Sequence, residues 1–233
     1  MPLLTAVCRV DRLQPDSGSV GVTAIDKRPL DGPVPVKPLG VWGDVQASRK
    51  HHGGPDKALY VFSDEDAAHF SALLGYEVTP GLFGENLRTS GLDVTGAVIG
   101  ERWGIGESLV VEVTMPRTPC ATFARRLREP RWVKRFQDEG RPGAYLKVVK
   151  SGPAAAGDDL RVLSRPSHGV TVGDCFAGLS PEQAEALLAS TDAPRLAEVM
   201  RGVAERAAAP VSPAAPASPA ALADPSLQSV QKI

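Results

Sequence analysis

The segment VTMPRTPCATFARRL, residues 113–127, holds the strongest case for chemistry in the chain. A β-branched run ends at Met115, and Pro116 and Pro119 then stiffen the loop that presents Cys120. Phe123 and Leu127 follow at helical spacing, so a short helix starts near Cys120. A thiol at that place and near arginines has its thiolate favoured, which nucleophilic and metal-ligand chemistry both need. Arg117, Arg125, Arg126, Arg128, Arg131, Lys134 and Arg135 form the one basic cluster of the chain, against only Glu129 and Asp138 nearby. The plainer reading of the same residues is a buried cysteine beside a solvated basic helix face.

Two glycine-bounded turns carry further donors and acceptors. In RKHHGGPDKALY, 49–60, the glycines and proline permit a tight turn whose consecutive N–H groups can form an anion-binding nest. Arg49, His51, His52 and Lys57 surround it with donors, and Asp56 can fix one of them. An ordinary hairpin turn with solvated charges fits the same letters. Adjacent histidines on an extended chain point to opposite faces, so His51 and His52 do not readily share one metal. In GLFGENL, 81–87, Glu85 and Asn86 place a carboxylate beside an amide, which suits ligand binding or a loop satisfying its own backbone.

These segments must be positioned by a body that reads as short strands between Gly/Pro punctuation, at 3–10, 20–26, 57–62, 108–115, 144–149 and 160–163. Their irregular spacing suits a barrel or sandwich better than a βαβ repeat. One helix is well signalled at 64–74, where Ser63 caps it with Asp66 at the third position. Beyond about 168 the texture turns helical. Ser180-Pro181-Glu182 is a helix start, and Leu196, Val199, Met200 and Val203 mark another helix. From Ala207 to Pro225, 16 of 19 residues are Ala, Pro or Ser, so 207–233 reads as a flexible tail.

Composition removes whole classes of function. With 26 Lys+Arg against 27 Asp+Glu the charge is near balance, whereas nucleic-acid binders usually carry a basic excess. Aromatics at 5% disfavour a stacking module. No apolar run approaches a membrane span, and the N-terminus lacks a basic n-region, so a cytoplasmic protein is expected. Cys8, Cys120 and Cys175 are an odd number without a C-x-x-C pair, which excludes a disulfide framework and standard zinc spacings. Cys8 and Cys175 sit in apolar surroundings and read as core fillers.

Taken together, AIDKRP at 24–29, LGVWGD at 39–44, HHGGPDKALY at 51–60, FGENL at 83–87, PRTPC at 116–120 and GAYLKVV at 143–149 resemble the MOSC domain family, most closely its YiiM-type branch. The resemblance covers about residues 1–206. It implies a β-rich, mixed α/β fold: a MOSC-type β-barrel body over 1–168, a small three-helix-like domain over 169–206, and the tail. It also implies a molybdenum cofactor, a molybdenum–pyranopterin, with Cys120 as the metal ligand and catalytic residue. Lys27, His52, Gly53, Gly54, Asp56, Lys57, Glu85, Asn86 and Arg117 then fall on cofactor-binding positions. Thiolate sulfur suits a metal already held by dithiolene sulfurs, and backbone N–H groups with Lys or Arg are natural partners of a phosphate.

The activity so implied is reduction of small N-hydroxylated compounds, such as hydroxylaminopurine-type base analogues, to the parent amine, a detoxification. No flavin, haem or iron–sulfur motif is present, so the electrons are expected from a separate reductase. Neither nucleic acid nor membrane is an expected partner, and a homodimer stays open. Two alternatives compete: a sulfur or cofactor carrier using Cys120 without reductase chemistry, and a binding module without chemistry.

Overall fold

The computed structural model describes residues 1–18, 20–45 and 53–209. The main sheet has eight strands: β1 (Leu3–Val10), β4 (Lys27–Pro29), β7 (Leu59–Ser63), β8 (Leu87–Ser90), β9 (Arg102–Ile105), β10 (Leu109–Pro116), β11 (Ala144–Lys150) and β13 (Leu160–Ser164). Two short pieces pair as β2 (Gln14–Pro15) and β3 (Val22–Thr23), and β5 (Val34–Lys37), β6 (Gly40–Val41) and β12 (Gly152–Ala154) make a small third sheet. The order across the main sheet is β13-β9-β10-β11-β7-β8-β1-β4.

All these pairs are antiparallel except β7 and β8, which are parallel and joined through helix α1 (Asp64–Leu74), so one βαβ unit stands inside the sheet. The sheet curls until its flanks touch: Leu4 N donates to Asp158 O at 2.9 Å and Leu160 N to Pro2 O at 3.0 Å. A single bridge joins Leu3 and Asp159 there. No strand ladder closes the ring among the described residues, and the fold established is a mixed α/β one with a large curled sheet.

The apolar runs at 3–10, 108–115, 144–149 and 160–163 do form strands, and Ser63 Oγ accepts from Asp66 N at 3.0 Å to cap α1. The run at 20–26 forms only β3, and the ladder with β1 begins just after it, at Lys27 in β4, while the Asp26 side chain pairs with Arg126.

Aromatic residues are few but concentrated. All six phenylalanines, with Trp132 and Tyr60, build one buried cluster that joins β7, α1, α2 (Ala121–Leu127) and α3 (Trp132–Glu139). Phe70 and Phe136 stack at 5.2 Å and most other pairs meet edge-on, the arrangement the ring quadrupoles favour. A second, aliphatic core fills the inside of the sheet around Leu59, Val61, Trp103, Val111 and Leu146.

Gly143 lets β11 enter beside this cluster. Its φ is +65°, and a Cβ there would stand 2.5 Å from Val61 O and 2.9 Å from the Tyr60 ring. Gly143→Ala should therefore cost about 2 to 4 kcal/mol through strain and overpacking. A drop of about 5 to 10 °C in apoprotein Tm by calorimetry is expected, and an unchanged Tm would refute the packing argument.

Three helices follow the sheet: α4 (Val172–Ala177), α5 (Pro181–Ala189) and α6 (Glu198–Ala208). Thr171 with Asp174 and Ser180 with Gln183 form capping boxes at α4 and α5. Lys147 Nζ ties this segment to β10, donating to Arg195 O at 3.1 Å while pairing with buried Glu112 at 2.7 Å. Helix α6 continues through Ala207 and Ala208, which pack on the core, two residues into the stretch expected to be tail. The rest of that expectation, from 210 onward, lies outside the described residues.

Candidate functional site

Strand β10 ends at Pro116, and the next four residues carry the chain to Cys120, the N-cap of α2. Cys120 is half-buried against the aromatic cluster, with extended backbone (φ −134°, ψ 168°) and no side-chain capping bond. The other two thiols differ. Burial pushes Cys8 and Cys175 each up to about 12, which keeps them protonated and inert.

Arg117 is buried, three residues before Cys120. Its guanidinium carbon lies 3.8 Å from the Phe123 ring centre and 5.3 Å from that of Tyr60. Nη1 is buried yet finds no hydrogen-bond partner among the described residues. Ring faces compensate part of that cost, but an unmet charged donor still costs roughly 1 to 3 kcal/mol. The position suits an anionic acceptor.

The Gly-rich turn arrives at the same end of β10 and β11. Gly53 and Gly54 have φ of 129° and 83°, and Pro55–Lys57 then forms a 3-10 turn in which Lys57 N donates to Gly54 O at 3.2 Å. Thr114 Oγ1 lies 2.6 Å from Asp56 O and 3.0 Å from Tyr145 O, so its one proton serves two carbonyls and pins the turn to both strands. Lys57 Nζ stands 5.7 Å from the Tyr145 ring centre. Burial raises the Tyr145 phenol above its ordinary value, Arg117 opposes that rise, and the Cys120 sulfur adds to it. Lys57 thus stands over Tyr145, which packs on the same aromatic cluster as Cys120 and Arg117 and which sequence reasoning did not single out. His52 lies outside the described residues.

Lys27, Glu85 and Asn86 are committed to protein partners. Glu85 is fully buried. Oε1 accepts from Gly81 N at 2.8 Å and from Arg88, while Oε2 accepts from Phe83 N at 3.1 Å. Asn86 Nδ2 donates to Asp44 Oδ2 at 2.8 Å and to Cys8 O at 3.2 Å, and its Oδ1 accepts from Tyr60 N. Lys27 Nζ pairs with the same Asp44 carboxylate. Asp44 is not singled out by sequence reasoning, since a lone acid gives no sign of partners 17 and 42 residues away. Tyr60 joins the two groups, with its main chain on Asn86 and its ring facing Arg117.

The basic cluster is largely neutralised: Arg125 pairs with Asp16, Arg126 with Asp26, Lys134 with Asp138 and Arg135 with Glu129. Among the described residues no group of three His, Cys, Asp or Glu could hold a metal by itself. No helix among them is long and apolar enough to cross a membrane. A cleft lined by Glu112, Asp192 and Arg195 and a groove beside Lys37 and Ser151 both lie away from Cys120.

A sequence profile of the MOSC domain matches residues 48–161. Protein YiiM of Escherichia coli is 35% identical over 159 residues, covering 66% of this chain and 70% of that protein. The chain belongs to the MOSC domain family. YflK of Bacillus subtilis is 35% identical over 150 residues, 64% of this chain and 67% of that one. A protein from Gibberella moniliformis named as a reductase is 34% identical over 149 residues, 62% of this chain, and the match spans only 26% of its own length. In three dimensions the crystal structure of YiiM from Geobacillus stearothermophilus matches with a TM-score of 0.72 at 22% identity, covering 90% of this chain and all of that one. That of Escherichia coli YiiM matches at 0.67 and 23% identity, covering 89% and 93%. The fold is that of YiiM-type MOSC proteins.

Proposed function

We propose that this MOSC protein binds a molybdenum–pyranopterin cofactor and uses it to reduce small N-hydroxylated compounds, hydroxylaminopurine-type base analogues among them, to amines. The observation that carries the reading is Arg117, a buried cation with an unmet donor three residues from a half-exposed soft ligand. An anionic, metal-bearing group fits that pair: phosphate oxygen satisfies the guanidinium and thiolate sulfur suits molybdenum. When bound, the cofactor supplies the two-electron reduction of the N–O bond, which consumes two protons and releases amine and water.

The chain's own residues hold and orient. Cys120 Sγ ligates the metal, and Arg117 with Lys57 meets the anionic end. Gly53 and Gly54 bring backbone close without a side chain in the way. Tyr145, kept protonated by burial, offers a hydroxyl donor. Lys27, Glu85 and Asn86 shape the loops around the site through Asp44 and Arg88. Electrons come from a separate reductase, and the setting is cytoplasmic. The half-exposed thiol also suits a sulfur carrier, which cyanide-labile sulfur on Cys120 would reveal.

The decisive test is purification from a host that makes the cofactor, followed by molybdenum analysis, pterin fluorescence and reduction of 6-hydroxylaminopurine with a chemical donor. Near-stoichiometric metal and amine formation are expected, and metal-free protein would overturn the reading. Lys57→Glu should lower cofactor content several-fold, more than it lowers apoprotein stability, because it opposes an anion at the site and also gives up the contact with the Tyr145 ring. Equal cofactor content in Lys57→Glu and wild type would remove Lys57 from the binding set.

A further inference from the structure

Helix α2 is seven residues long and its N-cap, Cys120, supplies no capping bond. Such a helix does not hold its place unaided. One face is fixed by Phe123 in the aromatic cluster. The helix is also gripped by the segment from Gln14 to Asp26. Arg125 Nε and Nη2 donate to Asp16 Oδ1 and Oδ2 at 2.7 and 2.6 Å, and Thr122 Oγ1 donates to Asp16 Oδ2 at 3.3 Å. This fork holds the Asp16 carboxyl below the usual range.

At the next residue, Arg126 pairs with Asp26, a residue buried in its own right, and Gln14 Nε2 braces Asp26 at 2.6 Å. Gly18 is part of the fit. Its N donates to Asp16 Oδ2 at 3.2 Å, and a Cβ on it would stand 2.7 Å from Arg125 Nη2. A Cβ there meets only the ends of the Arg125 and Asp16 side chains, so a side chain at residue 18 would make the pair shift. Asp26 also precedes Lys27, which is locked to Asp44, so one stretch of chain sets both α2 and that lysine.

We infer that Asp16 and Asp26 are positioning residues that fix Cys120 by clamping α2 through Arg125 and Arg126. This deepens the reading above and rests on it only where molybdenum retention is the readout. Both acids act through α2 and neither touches the thiol. The clamp joins residues about 100 positions apart in sequence, each pairing charge-assisted and partly sheltered from water.

Full-length Asp16→Asn, Gly18→Ala and Asp16→Glu proteins test the clamp. Iodoacetamide labelling of the apoprotein, resolved by peptide mass spectrometry, reads Cys120 directly, with Cys8 and Cys175 as internal references. Asp16→Asn should speed Cys120 labelling about tenfold, the effect of losing one strong charge-assisted pair on local opening, and Gly18→Ala should speed it by a smaller factor as the pair shifts. Cys8 and Cys175 should stay at the wild-type rate, and Asp16→Glu should keep most of the protection.

In cofactor-loaded protein the same two variants should lose molybdenum faster on gel filtration. Unchanged Cys120 labelling in both would overturn the inference. So would equal acceleration at all three cysteines, which marks global loosening instead. If Cys120→Ser retained its molybdenum, the ligand reading would fall while the labelling comparison still decided the clamp. If Cys120→Ser lost the metal but Asp16→Asn kept both metal and wild-type labelling, the clamp would fall alone.

Discussion

Cys120→Ser is expected to strip the protein of molybdenum while leaving apoprotein Tm at or slightly above the wild-type value. The loss follows from ligand chemistry: a serine hydroxyl is a hard, scarcely ionised donor where a polarisable thiolate is needed. The stability follows from the place of the residue. Cys120 is half-exposed, so the change opens no core cavity, and its extended backbone at the start of α2 is the conformation in which serine caps a helix. Capping contributes about 1 kcal/mol where it forms, enough to offset the lost sulfur packing. Cys8, which is buried, and Cys175, which is partly buried and packed on the core, should show the reverse. Cys8→Ser places a hydroxyl in the core and should lose about 1 to 3 kcal/mol, with molybdenum retained. Cys175→Ser should behave likewise. Metal analysis beside calorimetry on the three variants separates the roles, and Cys120→Ser with wild-type molybdenum would end the assignment.

The difference among the three thiols was partly legible in the sequence, because Cys8 and Cys175 stand in apolar runs while Cys120 follows two prolines and precedes an amphipathic stretch. The capped starts of α1 and α5 were legible for a similar reason, as Ser63 and Ser180 act over three residues. Strand β8 was not read. Arg88 and Thr89 make its sequence look polar, yet both are buried, since Glu85 neutralises the arginine. Helix α3 was hidden inside what read as a basic face, and the turn into it uses Arg128 and Arg131 in left-handed conformations that sequence pattern does not announce. At the site, Lys57, Arg117 and Cys120 were named from the sequence and do gather at one end of β10 and β11. Tyr145 was not, because an aromatic in an apolar strand looks like core until its neighbours are known. Asp16, Asp26 and Asp44 escaped because each acts on partners far along the chain, and a lone acid carries no local sign of that.

Glu85 gives the sharpest contrast between a ligand contact and a loop staple. The resemblance to the MOSC family implies a cofactor-binding position for it, whereas its oxygens are consumed by Gly81 N, Phe83 N and Arg88. Arg88 is itself buried and keeps Val78 O and Thr79 O, at 3.3 and 3.1 Å, and the more exposed Asp64 carboxylate at 3.7 Å once Glu85 is neutralised. Glu85→Gln should therefore leave a buried guanidinium without its close, buried counter-charge and turn an amide donor toward a backbone N–H. Breaking one side of a buried pair costs about 3 to 5 kcal/mol, or a fall of about 10 °C in Tm for a chain of this size. The loss should appear in the apoprotein, before any cofactor is present. Adding Arg88→Met to Glu85→Gln should recover part of it, because removing both charges also removes the desolvation cost of each. If Glu85 instead gripped the cofactor directly, the apoprotein would melt with the wild type and only molybdenum content would fall. Calorimetry of the single and double variants without cofactor, set beside metal analysis of the loaded proteins, decides between the two roles.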